Sequence, residues 1–218
     1  KLTALAYVTD ELLMDATALE TYVTRAVSDE LAFKLDDAIV RGSGVGVPLG
    51  LLNAACTVEV AKETSQAPAT IVMENTDKMV ARMLPRSFDR SVWLINVNCY
   101  PTMRQMSLKI KNVAGTENVG GSAVYIPPGG VAGSPYGSLA GRPVIAIEQA
   151  ETVGTVGDIV LADLGMYWLA RKGGIQSASS IHVNFLTDET AFRFIMRVDG
   201  QPMLKSAITP YKGTGTLS

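Results

Sequence analysis

One histidine, two cysteines, an Asp-Asp pair and a glycine-rich segment are the features of this 218-residue chain with the chemical means to act on a ligand. A Ser–His–Asp or Cys–His mechanism would have to pass its proton through the single imidazole, His182. That residue stands in Ser180-Ile181-His182-Val183-Asn184-Phe185, an alternating pattern of strand type, and no Gly-x-Ser-x-Gly nucleophile elbow occurs anywhere. His182 is therefore read as a strand-surface or interface residue, with a hydrolase using it as the enzymatic alternative. Cys56 and Cys99 are far apart, and with one histidine they cannot supply the usual four ligands of zinc. They read as reduced, mostly buried thiols of a cytoplasmic product. Asp36 and Asp37 diverge by about 100° on a helix, so a solvated turn is a better reading than a cation site. No catalytic residue, metal ligand or cofactor is assigned.

The segment Gly42-Ser43-Gly44-Val45-Gly46-Val47-Pro48-Leu49-Gly50 invites comparison with a phosphate-binding loop. It lacks the Gly-Lys-Ser/Thr that a P-loop requires, and it follows a helix instead of leading into one. The glycines are read as letting the chain turn sharply as it leaves that helix. A small-molecule binding module built on this segment is the remaining alternative.

The elements that position these residues follow from hydrophobic periodicity. Residues 2–8 read as a short strand. Thr17-Ala18-Leu19-Glu20 has the form of a capping box. Behind it Leu19, Val23, Ala26, Val27, Leu31, Leu35, Ala38 and Ile39 recur at three- and four-residue steps. The spacing predicts a helix from Ala18 to Arg41, roughly 36 Å long, stopped by Gly42. A strand over Thr57–Val60 and a helix capped by Asn75 or Thr76, with Met79, Val80, Met83 and Leu84 inside, are expected next. The apolar run Val92-Trp93-Leu94-Ile95-Asn96-Val97 reads as a central strand. A further helix from about Pro101 would carry Met103, Met106 and Ile110, the methionines serving as core. Residues 112–138, rich in glycine and proline, read as an exposed mobile loop. Strands are expected over Pro143–Glu148, Asp158–Leu164 and Met166–Arg171. The tail to Tyr211 reads as long antiparallel strands with a break at Asp199-Gly200, Phe192, Phe194, Met196 and Val198 pointing one way. The fold class is α+β in two lobes, with no internal repeat.

Composition narrows the function classes. Hydrophobic residues make up 47% of the chain and charged ones 18%, so either neutral polar groups supply the surface or partner chains cover part of its apolar area. The net charge is −2 and the 19 Lys and Arg residues form no basic stripe, which argues against direct wrapping of nucleic acid. No apolar run reaches transmembrane length, so no membrane partner is expected. The chain opens on Lys1 in the middle of a strand pattern and reads as a fragment.

With these features in order, Arg41-Gly42-Ser43-Gly44-Val45-Gly46-Val47-Pro48-Leu49-Gly50-Leu51-Leu52 resembles the G-x-G-x-G-x-P-x-G-[IL]-L signature of tailed-bacteriophage major capsid proteins of the Hong Kong 97 type. Leu139-Ala140-Gly141-Arg142-Pro143-Val144 resembles that family's L-x-G-x-P-V turn, and Ala162-Asp163-Leu164-Gly165-Met166-Tyr167 its x-D-[FL]-x-x-Y strand end. Phe185 to Gly200, with Asp188, Arg197, Val198 and Asp199, is similar to the closing strand region. The resemblance implies a peripheral lobe of residues 1–47 and 172–212 around the spine helix, and an axial lobe of residues 48–171 with 112–138 as its loop. Gly42, Gly44, Gly46, Pro48, Gly50, Gly141 and Pro143 would be fold-motif residues. It implies a structural coat subunit and no enzyme. Copies would form pentamers and hexamers of an icosahedral phage or prophage head, with other capsid or scaffolding proteins, in the host cytoplasm. An encapsulin-like nanocompartment shell is the alternative within the same fold. The family's N-terminal arm and extended loop have no counterpart here. Ser43 stands where an acidic residue is common, and Ala191-Phe192-Arg193-Phe194 offers no asparagine for the lysine–asparagine cross-link of some relatives, so none is expected.

Overall fold

A computed structural model describes residues 1–15, 18–64, 66–108, 110–111, 118–128 and 135–206. Thr17, and with it the expected cap, lies outside the described residues, as do 112–117 and 129–134 of the expected loop and the end of the tail after Ser206. In chain order the elements are β1 (Leu2–Thr9), α1 (Asp10–Asp15), α2 (Leu19–Arg41), α3 (Met73–Arg82), α4 (Pro85–Phe88), β2 (Val92–Ile95) and α5 (Tyr100–Gln105). Ten further strands follow: β3 (Ile110–Lys111), β4 (Asn118–Gly120), β5 (Tyr125–Ile126), β6 (Gly137–Leu139), β7 (Arg142–Ala146), β8 (Ile159–Ala162), β9 (Tyr167–Arg171), β10 (Gln176–Asn184), β11 (Glu189–Met196) and β12 (Val198–Pro202). The chain divides into two units, one of Lys1–Ala54 with Trp168–Met203, the other built on Ala55–Tyr167.

The first unit is a long helix on a three-stranded antiparallel sheet of order β1-β11-β10, with β9 and β12 pairing separately. Burial alternates along β1: Leu2, Ala4, Ala6 and Val8 face inward, Thr3, Leu5, Tyr7 and Thr9 outward. The register sets Ala4 opposite Phe194 and Ala6 opposite Phe192, so small side chains leave room for the two rings. On α2 the inward ladder is Val23, Val27, Leu31 and Leu35, which meets Phe192, Phe194, Met196 and Val198 in one apolar cluster. Of the residues in the expected stripe, Leu31 is the one fully buried. The rod is packed along one narrow seam. The short helix α1 was not expected from periodicity. It begins where the Asp10 N–H donates to the Asp188 carbonyl at 3.1 Å and the Asp10 carboxylate accepts from the Thr190 hydroxyl. The break expected at Asp199-Gly200 falls at Arg197 instead, and β12 runs through both residues.

The second unit holds a five-stranded sheet of order β5-β6-β7-β2-β8, with β3 and β4 as a separate pair. Its interior strand β2 pairs parallel with β7 and antiparallel with β8, which is why Val92–Ile95 reads as a continuous apolar run. Trp93 and Ile95 are fully buried and gather Ile71, Cys99, Met103, Met106, Tyr125, Leu139 and Val144 around them. The Trp93 indole N–H donates to the Leu139 carbonyl at 3.0 Å, tying β2 to the end of β6.

Several expectations fail locally. Thr57–Val60 joins no ladder. Helix α3 begins at Met73, because Asn75 acts from inside the first turn, its Oδ1 accepting from the Val72 N–H at 3.2 Å. Ile110 lies on a strand and not on α5. Within 112–138 the described residues form β4, β5 and most of β6, and Tyr125 is buried.

Two stability measurements test this packing. Phe194→Ala is expected to destabilise the first unit by about 3–5 kcal/mol in chemical denaturation, while Arg193→Ala, one residue away and exposed, should stay within about 0.5 kcal/mol. Ala140 holds φ at +50° in the turn between β6 and β7. Ala140→Gly should raise the melting temperature, with a gain of about 0.5–1 kcal/mol.

Candidate functional site

An α-helix leaves its last four carbonyls without intrahelical partners, and α2 ends inside folded structure. The chain that leaves it returns to satisfy them. Gly42 N–H donates to Ala38 at 2.9 Å, Leu51 N–H to Ile39 at 2.9 Å and Leu52 N–H to Val40 at 3.0 Å. The Asn53 side-chain amide donates to the Arg41 carbonyl at 2.7 Å and to that of Gly42 at 3.2 Å. Gly50 N–H closes the loop on the Gly42 carbonyl at 2.8 Å, and Leu49 N–H reaches the Gly200 carbonyl on β12 at 2.8 Å. The glycine motif and the closing Asp199-Gly200 motif are thereby brought together.

Each glycine here has its own reason. A Cβ on Gly42 would overlap the carbonyl oxygens of Pro48 and Ala38, and one on Gly50 would meet the Val40 oxygen at 2.7 Å. Gly44 and Gly46 have φ of +77° and +72°, where other residues are strained. Pro48 is buried, while Val45 and Val47 stand exposed at the loop tip. The N–H groups of Gly42 and Gly50 that a phosphate would need are spent on carbonyls, whose partial negative charge disfavours an anion. Ser43, in the position where an acid is common, accepts from the Val45 N–H at 3.4 Å. Asn53 was missed from the sequence because its role depends on the returning turn.

Gly141 and Pro143 sit in the second unit, away from this loop in sequence. Ala140 and Gly141 both have positive φ and form the two-residue turn of the β6–β7 hairpin. Pro143 precedes Val144, the first residue of β7 paired with β2, so its missing N–H interrupts no bond of that ladder. Asp163, in the x-D-[FL]-x-x-Y motif, is buried, accepting from the Arg90 guanidinium at 3.1 Å and the Gly165 N–H at 3.0 Å. It fixes a strand end.

The residues first considered for catalysis do not converge. His182 stands exposed on β10, and its ring has no hydrogen-bond partner among the described residues. Cys56 is half-buried and Cys99 fully buried, both free, and burial pushes the Cys99 thiol above its ordinary range. Asp37 lies 4.0 Å from Arg41, whereas Asp36 is exposed. Among the described residues no group of three His, Cys, Asp or Glu side chains could hold a metal ion, and no helix is long and apolar enough to cross a membrane.

What the first unit does display is apolar surface on a braced hairpin. Between Ser180 and Asn184 the β10–β11 register shifts, and Ile181, Val183, Phe185 and Leu186 are exposed there, Leu186 by 98%. The tip is braced: the Asn184 amide donates to the Glu189 carboxylate at 2.7 Å and the Thr187 N–H to the Asn184 carbonyl at 3.1 Å. Large apolar groups held out by a hydrogen-bonded turn mark a contact surface. This register shift was not legible in the sequence, because it is set by the pairing with β11.

Solved structures share this architecture. The chain is similar to the capsid of an empty GTA particle, with a TM-score of 0.67 and 19% identity over 95% of this chain and 73% of the other. It is similar to a chain from Microbacterium phage Oxtober96, with a TM-score of 0.61 and 15% identity over 94% and 67%. The SrpI encapsulin complex of Synechococcus elongatus gives a TM-score of 0.59 and 10% identity over 94% and 70%. No curated protein matches. The phage capsid family, by contrast, matches residues 1–213, essentially the whole chain, and joins the glycine turn, the two-unit α+β fold and the exposed hairpin in one assignment: the chain belongs to the phage capsid family, as a structural capsid subunit.

Proposed function

We propose that this chain is the major coat subunit of a tailed-phage or prophage head, whose copies gather as pentamers and hexamers and close an icosahedral shell around DNA. The family match over residues 1–213 carries this reading. The exposed hairpin tip supports it, because a cluster of large apolar groups held at the surface suits a contact with a neighbouring chain. In this reading the first unit is the peripheral lobe and the second the axial lobe. Other capsid or scaffolding proteins join during assembly in the host cytoplasm. Gly42, Gly44, Gly46, Pro48, Gly50, Gly141 and Pro143 serve the fold and bind no ligand, and the chain works by packing and not by turnover. Many modest contacts per subunit are enough, since each closes a ring that the others hold. The encapsulin-like nanocompartment is the second reading, favoured by the similarity to the SrpI complex.

Electron microscopy of the expressed protein is expected to show closed shells containing nuclease-protected DNA when the phage packaging machinery is present. Shells that load a protein cargo instead would favour the nanocompartment, and a monomer at every concentration would sink both. For the glycine turn, Gly50→Ala is expected to destabilise the subunit by about 3 kcal/mol or more, because the new methyl meets backbone. Gly46→Ala, with open space around it, should lose only about 1 kcal/mol. Inorganic phosphate should leave the melting temperature of the wild-type protein unchanged.

A further inference from the structure

Charge in the first unit is sorted onto two different surfaces. Helix α2 carries five acidic and three basic side chains, and two of the bases are engaged by acids on the helix itself, Lys34 by Glu30 at 3.8 Å and Arg41 by Asp37 at 4.0 Å. Asp29 and Asp36 are exposed and form no ion pair among the described residues, although Arg25 stands one turn before Asp29. Seven positions apart, they lie on one helix face about 10 Å from each other. Phe33 stands exposed between them. Leu31 and Leu35 point into the core, so this acidic and aromatic stripe points away from the sheet.

The outer face of the β1-β11-β10 sheet has the opposite character. Phe192, Phe194 and Met196 face the core, which turns Arg193 and Ile195 outward, and Arg197 continues that row. Lys172, Ile195 and Arg197 line one hollow of about 220 Å³. Arg193 sits across from Leu5 on β1 and Ala178 on β10. Among the described residues none of Lys172, Arg193 and Arg197 meets a carboxylate. From Arg193 to Arg197 the strand advances about 13 Å, close enough to the Asp29–Asp36 spacing for flexible side chains to bridge the difference.

We propose that these two surfaces are partners on successive copies of the chain: the outward face of α2 on one copy lies on the outer sheet face of the next, Asp29 and Asp36 pairing with Arg193 and Arg197 around Phe33. The inference rests on the shell-subunit reading and names the contact that would propagate a ring. The contact is heterologous, since each copy offers one surface and uses the other, which is the arrangement that closes around an axis of any order. Nucleic acid is a poorer occupant of the basic face. Three cations set among Leu5, Tyr7 and Ile195 do not make a phosphate-tracking stripe, whereas their apolar neighbours suit an aromatic helix face.

The test is a charge exchange within the whole chain. Arg193→Glu with Arg197→Glu, and separately Asp29→Lys with Asp36→Lys, should each raise the protein concentration needed for shell formation by about tenfold or more. Both pairs of changes combined in one chain should restore assembly, because the sign of the contact is then reversed on both sides. Thermal melting near that of the wild type shows that each variant folds. If the double variants assemble like the wild type, or if the folded quadruple variant fails to recover, the proposal is overturned while the shell reading stands. If Arg193→Glu with Arg197→Glu assembles normally but loses low-salt retention of DNA, the basic face serves nucleic acid and the proposal is wrong. A wild-type chain that never assembles removes the shell reading and the contact together.

Discussion

The open carbonyls at the end of α2 are the constraint on which the first unit depends. A helix of 23 residues presents an uncapped C-terminus inside folded structure unless the chain doubles back on it. The return through Gly50, Leu51, Leu52 and Asn53 supplies those donors, and the donation from Leu49 to Gly200 fastens the same turn to β12. One hydrogen-bonded knot therefore joins the rod, the exit of the chain toward the second unit and the last strand. It also explains the extent of the first unit, which reaches Ala54 instead of ending among the glycines: the residues up to Asn53 belong to the helix they cap.

The second unit answers to a different constraint, the complete burial of Trp93 and Ile95 on a four-residue strand. A strand buried on both faces needs partners on both edges, which β7 and β8 provide. The indole N–H needs an acceptor, and the Leu139 carbonyl at the hairpin end provides it. Beyond the strand, the Asn96 side chain donates to the Ala150 carbonyl at 2.9 Å and accepts from the Asn98 N–H at 3.0 Å, so the polar residue inside an apolar run sits where the chain turns.

The long elements were legible because periodicity is a property of the chain alone. The rod from Leu19 to Arg41, the run at Val92 and the alternation through Phe192 and Phe194 were all readable before any contact was known. What escaped depends on a distant partner. Thr57–Val60 alternates but finds no neighbouring strand. Gly137 reads as loop, yet it is a strand residue whose missing side chain makes room for the Tyr125 ring, since a Cβ there would overlap it. Asn75 looks like a cap from its type and works one turn later, because the acceptor it offers is set by where α3 begins. For the site the division is the same. The glycines announced a turn by their number, but their purpose, carrying Asn53 and two backbone donors to the helix end, lies in bonds between residues about ten positions apart.

A container subunit faces opposing demands on its surface, and the charge distribution meets both. Its neighbours must be held strongly enough to close a shell, yet a net charge of −2 leaves no field that would trap a polyanion inside. Segregation resolves the conflict. Acidic groups on the outer side of α2 and basic groups on the outer sheet face cancel in the total while each remains locally strong. Side chains sorted this way repel a copy approaching with like faces together and attract one approaching with unlike faces, so the same charges that supply attraction also set orientation. Overall composition conceals this, because a sum near zero describes a chain with evenly mixed charges just as well as one with two opposed faces. The alternation that turned Phe192, Phe194 and Met196 into the core is also what lined up the arginines on the other side. The packing of the unit and the polarity of its contacts come from a single period of two.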